Sequence, residues 1–476
     1  MEKVHRMLFN SFIFIEFLCL FFLGWRFAKK NATIRYIYLI CFSFVFYAWA
    51  TPWWLLLLIG DGFIDYFAGL GMLNYPKYKK LFIGLSLTGN LGLLFFFKYT
   101  FFFGTNLNSL FHAVGIPIQF HVVQLALPIG ISFYTFQSLS YTISAYRGVL
   151  TPTRNILHFF AYISLWPQLV AGPIERAAEL LPQLTQNNPV TEEQTWTGLN
   201  LIVKGYFKKM ILADNLAPIV NTAFGADHIT HSMSHWWTVS IMFAIQIYCD
   251  FSGYTDIARG MAKWLGYDFI LNFNHPYGAT SIREFWNRWH ISLSSWFRDF
   301  VYIPLGGNRK GKWAGLRNMW ITMLVSGFWH GAAWTFMMWG ALHAFYLTIE
   351  RLTNWPEKLH KKSGGLTLSA IIVFALVVIA WVFFRANSMG QAFHVIYAML
   401  DVRALHPKDV LTLGLPSLFW LGLGGGILLN EFFGWSRKWN EMSPLARKLQ
   451  PVGLAILAVA TIYWRGPGGA FIYFQF

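Results

Sequence analysis

Charge is scarce in this chain. Of its 476 residues only 12% are Asp, Glu, Lys or Arg, where a soluble domain carries about 25%. Cysteine is scarcer still. Cys19, Cys41 and Cys249 lie in apolar segments at unrelated spacings, which excludes a disulfide framework and a cysteine zinc site. The longest polar stretch, about 175–196, is short enough to be a loop, so no soluble domain is present. There is no low-complexity tract and no internal repeat, and the lack of an inverted repeat weighs against a transporter. No Gly-x-Ser-x-Gly elbow and no His-Glu-x-x-His pair occurs, which removes two common hydrolase chemistries.

Apolar residues take that place. They make up 56% of the chain, and mean hydropathy is +0.44. About a dozen segments are long enough to be helices of a multi-pass membrane protein. The reading is all-α and polytopic, with residues 1–476 as a single integral membrane domain. The first apolar segment, about 8–25, lacks a small-residue cleavage site and reads as a retained helix. Runs at 122–146 and 316–345 read as further spans, the second long for one crossing and therefore bent or tilted.

The formal net charge is +16. Its cations cluster between spans, at 26–35, 77–80, 309–317, 351–362 and 437–448, as the positive-inside bias expects of cytoplasmic loops. The 104–121 stretch, inside a region free of Lys and Arg, reads as an external loop. The basic clusters therefore suit orientation and contact with membrane lipid. No stacking-plus-basic module suggests nucleic acid.

Two segments break the apolar pattern. Leu165 to Arg176 interrupts a helix with Pro167, Gly172 and Pro173, and Gln168 lies in the break. Such backbone survives at membrane depth only where protein buries it or a wet cavity receives it. Tyr248 to Asp256 places Asp250, Tyr254 and Asp256 late in an apolar segment. Acids there face a protein interior or a water-filled path, or cross-link helices.

The stretch from Ser281 to His330 is the most informative. On a helical projection of 281–300, Arg283, Asn287, His290, Ser294 and Arg298 form one polar stripe opposite a Trp- and Phe-rich face. That suits an interfacial helix whose polar side lines an entrance. A Gly-rich turn follows, with Arg309, Lys310 and Lys312 as candidate partners for phosphates. It lacks the Walker ending. His330 stands 13 residues past Arg317, roughly 20 Å along a helix. Trp329 and Trp334 border it, and Gly327 and Gly331 leave room for a second helix or a substrate chain. A neutral imidazole in such a place can take the proton of a hydroxyl attacking an activated acyl group. An apolar surrounding also protects a thioester from water. Two histidines alone make a poor metal site.

These residues resemble the membrane-bound O-acyltransferase (MBOAT) family, and within it the bacterial alginate O-acetyltransferase subgroup. The matching segments are Pro167 to Ile174, Asp250 to Asp256, Arg283 to Ser294, Tyr302 to Gly307, Trp329-His330-Gly331 and the closing Phe471 to Phe476. The resemblance implies a ring of about 11–12 tilted transmembrane helices, with re-entrant and interfacial helices around a central tunnel. It implies His330 as the catalytic histidine and His290 as the second. It implies acetyl-CoA as co-substrate with no bound cofactor, and an extracytoplasmic partner of the SGNH acetyltransferase type, or another acceptor protein, at a bacterial cytoplasmic membrane. O-acetylation of an exopolysaccharide such as alginate is the expected activity. D-alanyl transfer from a carrier thioester and peptidoglycan O-acetylation stay open.

Overall fold

The computed structural model describes residues 7–49, 51–169, 172–186, 189–226, 228–433, 444–469 and 471–472. Among them every regular element is helical. The chain begins with α1 (Phe12–Ala28), α2 (Ala32–Ala48), α3 (Pro52–Asn74), α4 (Lys79–Leu94) and α5 (Thr100–Ala113). It continues with α6 (Ile131–Tyr146), α7 (Ile156–Ser164), α8 (Trp166–Leu169), α9 (Ala177–Thr185), α10 (Glu192–Tyr206) and α11 (Asp214–Gly225). Then come α12 (Met233–Leu265), α13 (Ile282–Arg288), α14 (Ile291–Phe297), α15 (Lys312–His330) and α16 (Trp334–Thr353). The last are α17 (Trp355–His360), α18 (Gly365–Arg385), α19 (Met389–Leu400), α20 (Leu415–Phe433) and α21 (Pro444–Tyr463).

Among the described residues three helical runs are long and apolar enough to cross a membrane: Pro52–Asn74, Pro76–Ala113 and Gly365–Arg385. Pro407–Leu413 with Leu415–Asn430 makes a fourth if that pair, bent by 103°, is one span. Many of the other expected spans are shorter helices, or helices diluted by polar residues. The expected external loop at 104–121 is a loop only from Val114 onward. A π-helical turn at Phe95–Tyr99 carries α4 straight into α5. The 122–146 run is helical only from Ile131. Gly130, at φ +74°, sets that start, and a Cβ there would meet the Leu169 carbonyl at 2.8 Å. Of the 437–448 cluster, residues 437–443 lie outside the described residues, as do Val170, Ala171 and 473–476 of the family-like segments.

The chain packs as two compact units: 1–202 with 257–270, and 203–256 with 271–476. In the first, α3, α4 and α6 are cross-linked by buried polar side chains that hydropathy alone does not reveal. Ser86 Oγ donates to Asp65 Oδ1 (2.5 Å), and Asn90 Nδ2 donates to Asp65 Oδ2 (3.0 Å). Ser138 Oγ lies 3.0 Å from both Asp61 Oδ2 and Asn90 Oδ1. In an apolar medium such groups persist because each finds a partner in a neighbouring helix. The broken segment around Gln168 belongs to the same unit and is buried by protein. Gln168 Nε2 and Gln137 Nε2 both donate to the Tyr162 carbonyl (2.6 and 2.8 Å), and Trp166 N–H donates to Ser43 Oγ (3.1 Å). Gly172 is required there, since a Cβ would sit 2.3 Å from Gln168 Cα.

The second unit contains the segments of chemical interest. The expected long span at 316–345 is instead a helical hairpin. α15 ends at His330, Gly331 and Ala333 are extended, and α16 runs back along α15. Met323 and Gly327 of α15 meet Gly340 of α16. A Cβ on Gly327 would lie 2.4 Å from the Phe336 carbonyl, and one on Gly340 would lie 2.4 Å from the Met323 carbonyl. The small residues thus serve close helix approach, one of the two uses their spacing suggested. At the far end Arg351 Nη2 donates to Asn308 Oδ1 (2.6 Å), which ties α16 to the Gly-rich turn before α15.

A buried ion triad anchors the C-terminal segment in this unit. Lys209, on the π-helical turn Phe207–Ala213, lies 2.7 Å from both Asp214 and Asp250. Asp250 Oδ2 also accepts from Ile472 N–H (2.7 Å), and Asp214 Oδ1 accepts from Gly469 N–H (3.3 Å). Phe471 packs on Tyr254, ring centroids 4.6 Å apart. Asp250 and Tyr254 therefore hold Phe471 and Ile472 in place.

Candidate active site

The helix expected over 281–300 is broken in the middle. Trp289 is extended and His290 takes φ +42°, a left-handed conformation uncommon outside glycine. α13 therefore stops at Arg288 and α14 restarts at Ile291. The break is held by Asn272, whose Oδ1 accepts from Ser292 N–H (3.2 Å) and Ser292 Oγ (2.9 Å) and faces His290 Nδ1 at 3.2 Å. An amide oxygen only accepts, so Nδ1 carries the proton and Nε2 the lone pair. His290 thus leaves the polar stripe. It is fully buried, edge-on to Phe251 at 4.6 Å.

The start of α13 is secured twice. Ser281 caps it, accepting from Glu284 N–H (3.0 Å), and Glu284 reaches back to Thr280 N–H (2.6 Å) and Oγ1 (2.8 Å), a variant of the capping box. Burial alone would raise the Glu284 carboxyl, but the Thr280 donors and Arg288 hold it below its ordinary range. From α16, Glu350 accepts from Ile282 N–H (2.6 Å) and lies 3.4 Å from Arg283 N.

The other stripe residues keep their expected place together. Arg283, Asn287, Ser294 and Arg298 all line one cavity of about 320 Å³. Its floor is Ser326, Thr322 and Met323 of α15, and its apolar wall includes Trp286, Leu293 and Phe297. Two arginines line it, Arg298 paired with Asp299 (2.8 Å) and Arg283 beside Glu350. Arg309, Lys310 and Lys312 are exposed and are not among the lining residues. Trp334 is likewise exposed, at the start of α16. None of the three cations expected to meet phosphates lines the cavity; its arginines, Arg283 and Arg298, are those of the stripe. Neutralising Arg309, Lys310 and Lys312 together should raise the KM for an acyl-CoA donor and flatten its salt dependence, with kcat little changed. A KM that does not move with ionic strength or mutation leaves those cations to orientation alone.

His330 ends α15 one turn beyond Ser326 and is 4% exposed. Its ring meets three aromatic edges: Trp329 and Trp339 at 5.0 Å and Phe384 at 5.4 Å. Trp329 also lies 6.4 Å from His290, so one indole touches both imidazoles. Forty residues apart in sequence, the two histidines share an aromatic cluster. Turnover should fall in His290→Ala and in Asn272→Ala, which frees the ring. Unchanged rates in both would reduce the break to packing. Gln168 lies in the first unit, and Asp250 and Tyr254 engage residues 471–472, so of the expected site residues the second unit brings together the stripe, the two histidines and Trp329.

One histidine escaped the sequence reading. His343 on α16 is completely buried against Phe285, Trp286 and Trp339. It lacks a preceding tryptophan, but an ionisable residue in an apolar run was itself the available signal.

The comparisons with known proteins give the reaction class. Residues 78–387 match the MBOAT, membrane-bound O-acyltransferase, family, and the chain belongs to it. It is a multi-pass membrane acyltransferase. It is 36% identical over 450 residues to the probable alginate O-acetylase AlgI of Pseudomonas aeruginosa, covering 93% of this chain and 84% of that protein. It is 35% identical over 436 residues to the peptidoglycan O-acetyltransferase of Helicobacter pylori, covering 85% and 81%. The teichoic acid D-alanyltransferase of Bacillus subtilis is 29% identical over 287 residues, 56% of this chain and 69% of that protein.

Proposed function

We propose that this chain is an O-acetyltransferase of the bacterial cytoplasmic membrane. It takes acetyl from acetyl-CoA on the cytoplasmic side and delivers it to a hydroxyl on an extracytoplasmic partner of the SGNH acetyltransferase type, for O-acetylation of a polysaccharide. The observation that carries this reading is the arginine-bearing cavity ending one helical turn from His330. Its volume, about 320 Å³, is at the low end for ligand pockets. That suits the thioester arm of the donor, while Arg283 and Arg298 suit its anionic part. Acetyl is favoured over D-alanyl because the acetylating relatives match more of the chain at higher identity. Alginate and peptidoglycan are the polymers that those relatives' names suggest.

In the proposed reaction His330 takes the proton of the attacking hydroxyl. The hydroxyl oxygen bonds to the thioester carbon, the carbon–sulfur bond breaks, and the proton passes to the departing thiolate. Water exclusion by the surrounding tryptophans protects the thioester. His290 holds the far side of Trp329.

The test is sidedness. In oriented vesicles, acetyl-CoA supplied only at the cytoplasmic face should acetylate an acceptor confined to the opposite face. Acetylation only when both reactants share a compartment would return the protein to one-sided catalysis.

A further inference from the structure

Four buried nitrogens beside the candidate site have no hydrogen-bond partner among the described residues: Trp286 Nε1, Trp339 Nε1, and His343 Nδ1 and Nε2. They belong to three rings that form a tight triangle. His343 lies 5.0 Å from Trp286 and 5.0 Å from Trp339, and the two indoles are 5.6 Å apart. Trp286 also lines the cavity, and Trp339 lies edge-on to His330 at 5.0 Å. The triangle therefore connects the cavity wall to the imidazole assigned the base role.

Leaving these groups unsatisfied is costly, about 1–3 kcal/mol for each buried polar group. Phenylalanine would fill the same space without that cost. Their hydrogen-bonding character is also one-sided. Each indole offers one N–H, and a neutral imidazole offers one N–H and one lone pair, so three donors stand against one acceptor. Such a set suits an occupant that accepts: an oxygen that is neutral or, better, negatively charged.

We propose that Trp286, Trp339 and His343 form the cage that receives the acyl carbonyl oxygen as it becomes an oxyanion. The inference rests on the acyl-transfer reading given above. When the hydroxyl oxygen bonds to the thioester carbon, the carbonyl π pair moves onto oxygen and the hydroxyl proton passes to His330. When that pair returns, the carbon–sulfur bond breaks and sulfur takes the proton back from His330. The charge on oxygen exists only between these two events. Fixed donors in a dry, rigid aromatic setting stabilise it without reorganising. Helix order supports such rigidity. Glu350 ties α13, which bears Trp286, to α16, which bears Trp339 and His343, and Trp381 stacks on Trp339 at 5.9 Å.

The experiment uses the full-length protein with the dethia analogue of acetyl-CoA, in which CH₂ replaces sulfur and the acetyl carbonyl is labelled with ¹³C. Its infrared carbonyl band should move below its position in water on binding. In Trp339→Phe and His343→Phe the band should move back up. With acetyl-CoA itself, kcat should fall about 10²–10³-fold, the usual cost of one oxyanion donor, while the donor KM changes little. A wild-type band at its aqueous position overturns the cage. So do an unchanged band and unchanged kcat in both variants, which would leave the rings as edge-to-face packing or a site for ordered water. If the variants do not fold, the wild-type band decides alone. His330→Ala separates the two readings: it should lose turnover but keep the shifted band. Turnover retained in His330→Ala would remove the base assignment and leave the cage standing.

Discussion

Replacing His330 by alanine should reduce acetyl transfer by about 10²–10⁴-fold, the usual contribution of a positioned general base. The expectation comes from where the ring sits. It ends α15 at the turn of a helical hairpin, 4% exposed, with aromatic edges on three sides and the cavity wall one turn away. Glu350 and His290 are comparably buried near the cavity, but Glu350 is engaged by the Ile282 amide and His290 faces Asn272. Radiolabelled acetyl transfer by purified protein with its partner is the measurement. Membrane insertion and a monodisperse profile must be kept, and His330→Phe, which retains ring packing, should be equally inactive. Polymer acetylation at the wild-type level in His330→Ala would sink the mechanism.

Loss of Lys209 should be the most damaging change to stability. Lys209→Ala should cost about 3–5 kcal/mol, because it leaves two buried carboxylates with no compensating charge. Asp214 and Asp250 each lie 2.7 Å from Nζ, and all three side chains are at most 4% exposed. The same carboxylates accept from the Gly469 and Ile472 amides, so the C-terminal segment should loosen with the triad. Thermal unfolding in detergent and protease sensitivity near 464–472 report both effects. The control is Lys209→Leu combined with Asp214→Asn and Asp250→Asn. Removing all the charges together should cost far less than removing one. Equal losses in the single and triple variants would mean that packing volume, and not charge pairing, holds this region.

How much of this was legible beforehand differs from residue to residue. The stripe of Arg283, Asn287, Ser294 and Arg298 was visible because two short helices keep helical spacing on either side of a break, and all four residues meet at one cavity. His290 looked like a member of that stripe. Nothing local announces that Asn272, 18 residues earlier, draws it into a left-handed turn and buries it. The run at 316–345 was suspiciously long, yet hydropathy is the same for a bent span and a hairpin. Gly327 meeting Gly340 decides between them. Asp61 and Asp65 passed unnoticed in α3 because their partners, Ser86, Asn90 and Ser138, lie on other helices.

The sequence by itself determined the class: scarce charge and abundant apolar residues force helices into a membrane, where backbone groups must bond within their own segment. It also determined the chemistry on offer, since an imidazole among small and aromatic residues has few uses in a dry setting. Only the tertiary structure decided which polar groups meet. Hydrogen bonds and ion pairs act over about 3 Å, while sequence spacing constrains position only within one helix. The pairing of His290 with Asn272, the Lys209 triad, the hairpin that ends α15 at His330 and the Trp286–Trp339–His343 triangle all depend on contacts between separate elements, near or far in the chain.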